Sequence, residues 1–450
     1  MVNIYNSLKS VFQNLVKENK NNSSFIPTLL VLVTIPLSFA INNVALGILI
    51  AVSLFTFKNK NFSLQTELIV PILLYFLMVF SCFWSVDIKS SLVALSKEIP
   101  LLLIPICFLI FKTFFIEQKQ KLVAFFSYSM LLYALYYVVR ALIRYFISKD
   151  TRVFFYHGED NEDYGLVPKL LNAIHVSVFV AVAFFHFFTK EIKTKADTFI
   201  SILLFGFVML LSSKNIVLVI FLLVLIYLFF FSKTAHKMRL RNLLIFIAIA
   251  GLIFSFGRIK QRFEIEFQAN TNKSISTNVI EGIPAVVHNV SVKEAWTNKM
   301  FTPNDYFNGT AFRVYQFRIF TELIKENNIF FIGLGLDASY PKIEEKAKYY
   351  NLYLGKNGED GYQNKNFHNQ YVQNFADLGV FGFLLIVLML FINLKNAYKS
   401  KDFVHFAFSI LMISLFLTES FLWRQRGVVF FTMMYCLFNS GNTTIRSKQE

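Results

Sequence analysis

The chain has 450 residues, 55% of them hydrophobic and 55 of them Phe, with a mean hydropathy of +0.52. Soluble domains use roughly 45–50% apolar residues, so this composition excludes an ordinary soluble enzyme and indicates a polytopic membrane protein. The net charge of +16 does not indicate nucleic acid, because the excess sits in short loops between apolar runs, where retention of Lys and Arg on the inner side and anionic lipid account for it.

In chain order, a polar stretch with Lys9, Lys17 and Lys20 precedes the first apolar run, a pattern unlike a cleaved secretory signal. A bilayer core needs roughly 17–25 apolar residues per helix. Twelve runs are read as spans, at 25–41, 43–57, 68–83, 99–116, 121–147, 171–189, 197–213, 215–231, 242–257, 375–394, 403–422 and 427–440. The first two are separated only by Asn42-Asn43, so a tight helical hairpin is expected there, since loose backbone is costly in lipid. With the N-terminus inside, the inner segments together hold 20 Lys and Arg, and both termini are expected on the cytoplasmic side. Cys82, Cys107 and Cys436 all fall in apolar runs, so neither a metal pair nor a disulfide framework is suggested.

The single long polar segment, 258–374, follows the ninth span and is therefore expected outside, with 14 Lys or Arg against 12 Asp or Glu. Within it, Phe312 to Ile329 is read as an amphipathic helix with Phe312, Tyr315, Ile319, Leu323 and Phe330 on or near one face. Gly333-Leu-Gly335 is a helix stop and turn. A Lys/Glu-rich helix at 341–350 and a Gly/Asn-rich turn region at 355–366 follow.

His368 stands where this loop enters the tenth span, so its imidazole is expected at the outer membrane surface, able to take a proton from a sugar hydroxyl near neutral pH. A plain interfacial His bonded to headgroups or a helix end is the competing reading. Arg140, Arg144, Arg152, Lys214, Arg313, Arg318, Arg424 and Arg426 also fall outside, against the inner bias of the other cations, and a polyphosphate group would account for them; headgroup snorkelling accounts equally for Arg140 or Arg144 alone. His186, His236 and His405 fall near the inner face, His157 and His288 are read as surface residues, and Glu419 is expected to pair with Arg424 or Arg426. No Asp-x-Asp motif or acidic pair resembles a metal site.

Asn366-Phe-His368 through Gly379 resembles the His-x10-Gly signature of the O-antigen ligase and polymerase family. Arg313-Val-Tyr-Gln-Phe317 followed by Gly333-Leu-Gly335 is similar to that family's Arg-x3-aromatic helix and Gly-x-Gly turn, with Phe317 where a Trp is common. Phe83-Trp84-Ser85-Val86-Asp87 resembles its Trp-Ser element, and Thr418-Glu419-Ser420 with Arg424-Gln-Arg426-Gly427 is similar to an element of members from Bacteroidetes. Leu211-Ser-Ser-Lys214 lies where many members carry Ser-Arg; Lys offers a point charge rather than a planar fork.

The resemblance implies an all-α polytopic fold similar to C-type glycosyltransferases, with a cytoplasmic N-terminus (1–24), nine spans (25–257), a large periplasmic loop (258–374), three spans (375–440) and a cytoplasmic tail (441–450). It also implies metal-independent transfer, without cofactor, of a glycan from a polyprenyl pyrophosphate to a hydroxyl of lipid A-core at the periplasmic face of the inner membrane. His368 and Arg313 would be catalytic, and Arg424, Arg426, Lys214, His175 and Arg318 would bind substrate; for His175 a satisfied buried role stands equally open. A repeat-unit polymerase or a protein O-oligosaccharyltransferase remains an alternative within the family. A twelve-span transporter or flippase is the rival outside it, disfavoured by the one long loop and by the scarcity of mid-membrane charge.

Overall fold

A computed structural model describes residues 2–57, 65–156, 165–233, 239–241, 243–244, 246–248, 251, 288–327, 329–355 and 361–441. The protein is an all-α, multi-pass membrane protein, as the composition requires. Among the described residues five helices are long and apolar enough to cross a membrane: Phe39–Thr56, Ile88–Ile110 (two segments meeting at Ile99), Ile116–Ser148, Lys214–Phe231 and Gln370–Ser400. Four shorter apolar helices, Phe25–Thr34, Thr66–Ser81, Ala173–Phe188 and Phe403–Phe416, lie among them. Most of the expected ninth span, together with His157 and His236, lies outside the described residues.

Burial follows the distribution of apolar side chains around each helix. Ala173–Phe188 and Gln425–Asn439 are buried on nearly every face, as expected of helices without a polar stripe, and they occupy the centre of the bundle. Aromatic packing links them, with Phe179 against Phe430 at 4.4 Å between ring centres and Phe126 against Phe430 at 6.1 Å.

The first hairpin turns earlier than the sequence suggested. Helix Phe25–Thr34 ends before Pro36, Ser38 caps the next helix by accepting from Ile41 N, and Phe39–Thr56 runs straight through Asn42-Asn43. Proline stops the first helix because it has no N–H and its ring restricts the residue before it. Asn42 closes the hairpin, its buried amide donating to Val31 O (3.1 Å) and Thr34 Oγ1 (2.9 Å). At the other end of Phe25–Thr34, helix Val2–Asn21 is pinned where Glu18 pairs with Lys121 and accepts from Gln118.

The polar segment builds a second, smaller core from Val290, Phe301, Phe307, Phe312, Tyr315, Ile319, Leu323, Ile343 and Tyr350. Its main helix, Gly309–Asn327, buries Phe312, Tyr315, Ile319 and Leu323 as the periodicity predicts. Phe330 falls beyond the helix end and is 44% exposed, so it is not part of that face. A two-stranded parallel pair, His288–Val290 with Asp305–Phe307, is too short to leave a period-2 signal. Tyr340–Tyr349 forms the expected Lys/Glu-rich helix.

The two cores are joined where Gln370–Ser400 is broken. Gly379 has φ 69° and ψ −165° inside this helix, a region open to glycine alone. At the break the chain 330–335 runs alongside and pairs by backbone: Val380 N donates to Phe330 O (2.8 Å), Leu334 N to Ala376 O (2.8 Å) and Gly335 N to Asp377 O (2.9 Å). The Trp-Ser element closes over the other side of that segment, with Trp84 Nε1 donating to Ile332 O (2.8 Å), Val86 N to Leu334 O (3.0 Å) and Ser91 Oγ to Leu336 O (2.5 Å). Three separate sequence motifs are thus parts of one joint.

A Cβ at Gly379 would run into the Phe331 carbonyl, besides needing the disfavoured φ; a Cβ at Gly47 would meet nothing within 4 Å. Gly379→Ala should therefore cost roughly 1–3 kcal/mol and lower the melting temperature of the detergent-purified protein, while Gly47→Ala should not. Equal melting of the two variants would show that the break does not depend on glycine.

Candidate functional site

His368 sits immediately before the N-terminus of Gln370–Ser400, in the left-handed region at φ 47°. A non-glycine residue there is strained, and its surroundings hold it. Asn366 Oδ1 accepts from His368 N (3.0 Å), and Phe312 meets the imidazole edge-on at 5.9 Å. The helix start is fixed by Asn369, whose side chain accepts from Val372 N (3.1 Å) and donates to Leu417 O (3.1 Å). Gln370 Oε1 accepts from Leu422 N (2.8 Å), and Tyr371 donates to Ile413 O (3.0 Å). The same few residues therefore seat His368 and the turn 417–424.

That turn brings in a carboxylate. Glu419 Oε2 lies 3.6 Å from His368 Nδ1, within ion-pair reach and longer than a formed hydrogen bond. Burial by itself would raise the Glu419 carboxyl, but the neighbouring His368 and the field of Arg313 outweigh it and hold the group below its usual range. The His368 side chain is 29% exposed, and Nε2 has no partner among the described residues.

Arg313 approaches from Gly309–Asn327. Its Nε donates to Thr418 O (2.9 Å) and its Nη1 to Gly309 O (2.9 Å), which leaves part of a five-donor guanidinium uncommitted. Asn215 grips the same turn from below, donating to Thr418 Oγ1 (2.7 Å) and Ser414 O (2.8 Å) and accepting from Ser414 Oγ (2.7 Å). Lys214, which opens its helix after the left-handed Ser212, is the residue before Asn215. Arg313, His368, Glu419 and the Lys214 helix end are thereby brought to one place by residues 414–419.

The remaining candidates divide. Arg424 lies on the same turn, half-buried, and no hydrogen bond or ion pair engages its guanidinium among the described residues. His175 is 1% exposed, stacked on Phe421 at 4.3 Å, and neither ring nitrogen has a partner among the described residues; Ser420 Oγ, one residue before Phe421, is also buried without a partner among them. Unpartnered buried polar atoms are costly, and Ser420 lies on the same turn as Arg424. Arg426 is otherwise engaged: Nε donates to Ile35 O (2.9 Å), Nη2 to Leu37 O (2.9 Å) and Nη1 to Leu170 O (3.0 Å), with Phe39 packed on its face. It ties the first hairpin turn to the 165–172 connection. Arg318 is likewise committed inside the loop core, to Glu322 Oε1 (3.0 Å), Asn298 O (2.7 Å) and the Tyr350 ring.

Glu419 does not pair with Arg424 or Arg426, as the sequence suggested, and its contact with His368 had no sequence signal, since 51 residues separate the two. Also unforeseen is a small cavity of about 20 Å³ beneath the turn, lined by Lys97, Glu98, Asp337, Asp377 and Trp423 among others. Trp423 Nε1 donates to Asp337 Oδ1 (2.6 Å), fastening the turn to the segment after Gly335; burial raises the Asp337 carboxyl. Among the described residues no three His, Cys, Asp or Glu side chains are grouped to hold a metal ion.

Residues 199–387 match the family model described as O-antigen ligase. The match takes in Lys214, Arg313, Arg318, His368 and Gly379 and stops short of Glu419 and Arg424, which enter the site by geometry. No curated protein matches the chain. Residues 199–387, which carry the His368 and Gly379 signature and most of the joint built around it, are thus similar to the O-antigen ligase family.

Proposed function

We propose that the protein transfers a glycan from a polyprenyl-pyrophosphate carrier to a hydroxyl of lipid A-core, at the periplasmic face of the inner membrane and without a metal ion. The match of residues 199–387 to the O-antigen ligase model supports ligase- or polymerase-type chemistry in general, and the observation that carries the finer reading is the convergence of His368, Glu419 and Arg313 on the turn 414–419.

In this reading Glu419 accepts the Nδ1 proton of His368, which leaves the Nε2 lone pair facing outward as the base. The 3.6 Å separation shortens when substrate closes the site, as unliganded catalytic contacts commonly do. Nε2 removes the acceptor proton as the acceptor oxygen bonds to the anomeric carbon. The bond from that carbon to the pyrophosphate oxygen breaks, its electron pair leaving with the phosphate. Attack opposite the leaving group inverts the anomeric centre. The free donors of Arg313 and the unengaged guanidinium of Arg424 meet the charge on the leaving group, with Lys214 in support. His175 and Ser420, lacking partners, contact the donor beside Arg424, while Arg426 and Arg318 act by fixing the hairpin and the loop core.

Deletion in the native host, read by silver-stained lipopolysaccharide and surface glycan, tests the acceptor. Loss of polymer on lipid A with lipid-linked polymer retained is the expected outcome; capping by single repeats would instead identify a repeat-unit polymerase, and unchanged glycan would refute transferase activity on this pathway.

Glu419→Gln keeps the size of the side chain and removes its charge. It should lower kcat on the order of 10²-fold, within the range for a disturbed general base, with little change in KM. A wild-type kcat would show that the carboxylate has no part in the reaction.

Arg313→Lys preserves charge but cannot hold Thr418 O, Gly309 O and a phosphate together. Turnover of a lipid-linked donor should fall steeply in both the Lys and the Ala variants, at low and at high salt. A Lys variant at wild-type rate whose activity weakens with ionic strength would show that Arg313 supplies only a screened field.

A further inference from the structure

Away from the reacting groups, the loop core exposes two aromatic rings side by side. Trp296 is 44% and Phe317 47% exposed; their ring centres are 6.2 Å apart and their planes differ by 25°. They come from different elements. Trp296 belongs to the short helix Val292–Thr297, held by a reciprocal Ser291–Glu294 cap and the fully buried Ala295. Phe317 lies on Gly309–Asn327 and is backed by Phe320, which in turn packs on Phe367 and Phe375. The surface is flat and supported from beneath.

We propose that Trp296 and Phe317 form a stacking platform for a sugar ring of the glycan chain, a subsite extending the transfer site along the helix that carries Arg313. This rests on the glycan-transfer reading above. Positions 313 and 317 are i and i+4, hence on one helix face, about 6 Å apart along the axis, so a chain held near Arg313 and His368 passes over Phe317. The rings offer an apolar face to the C–H side of a pyranose. The indole N–H of Trp296 has no partner among the described residues, whereas Trp84 donates to Ile332 O and Trp423 to Asp337; it is available to a sugar hydroxyl. Lys293, Thr297 and Lys299 around it are exposed and polar, as suits a hydrophilic polymer.

Full-length protein in nanodiscs tests the platform through Trp296 emission, isolated by subtracting a Trp296→Phe variant that keeps a ring in place. The probe is the water-soluble oligosaccharide released by mild acid from the host's own surface glycan. It should change Trp296 emission in wild type and equally in His368→Ala, and Phe317→Ala should weaken that binding on the order of tenfold with an unchanged melting temperature, Phe317→Trp restoring it. Brominated phosphatidylcholine in the nanodisc should leave Trp296 unquenched. Quenching by brominated lipid would make the patch a membrane contact, and no response to the oligosaccharide would overturn the platform; either result, with transfer still measurable, leaves the transferase reading standing. Binding intact with no transfer by wild type would overturn that reading and leave the platform.

Discussion

The site depends on a helix that is interrupted so that another segment can hydrogen-bond into it. At Gly379 the helix Gln370–Ser400 gives up its regular path, and the chain 330–335 pairs with Ala376, Asp377 and Val380. Backbone groups freed by a break must find partners in a medium without water, and here the partner is the loop core itself. The joint fixes the loop core against the bundle and sets where the first turns of the helix point. His368 and the turn 417–424 are placed by those turns through Asn369, Gln370 and Tyr371.

This explains the spacing of the most telling motif. Ten residues between His368 and Gly379 are about three helical turns, the length that separates the residue at the start of the helix from the break that anchors it. Gly333, Gly335 and the Trp84-Ser85 element serve the same joint from its other sides: a Cβ at Gly333 would strike the Asp377 backbone, and one at Gly335 would strike Ser85. Their role is to admit close backbone approach, which only glycine allows at positive φ.

The all-helical class, the amphipathic helix of the loop and the placement of His368 at a helix start were legible because each leaves a local signal in periodicity, composition or a short motif. Pairing across distance was not. The contact of Glu419 with His368 depends on a turn between two apolar helices, and the different fates of Arg424 and Arg426 depend on side-chain direction: the first stays unengaged among the described residues, while the second is absorbed by three carbonyls of neighbouring connections. Two arginines flanking one glutamine look alike in sequence. The hairpin turn was misplaced because Asn42-Asn43 reads as polar punctuation, although Pro36 is the stronger stop and Asn42 is satisfied inside the fold.

The central claim is that the imidazole of His368, with Glu419 behind it, removes the acceptor proton. Its most direct test is single-turnover transfer from a lipid-linked donor by purified His368→Ala in proteoliposomes, with donor binding measured in parallel. The account predicts a loss of about 10²–10⁴-fold in rate with donor affinity and melting temperature retained. Transfer near the wild-type rate would contradict it and leave His368 as an interfacial residue that only holds the start of its helix.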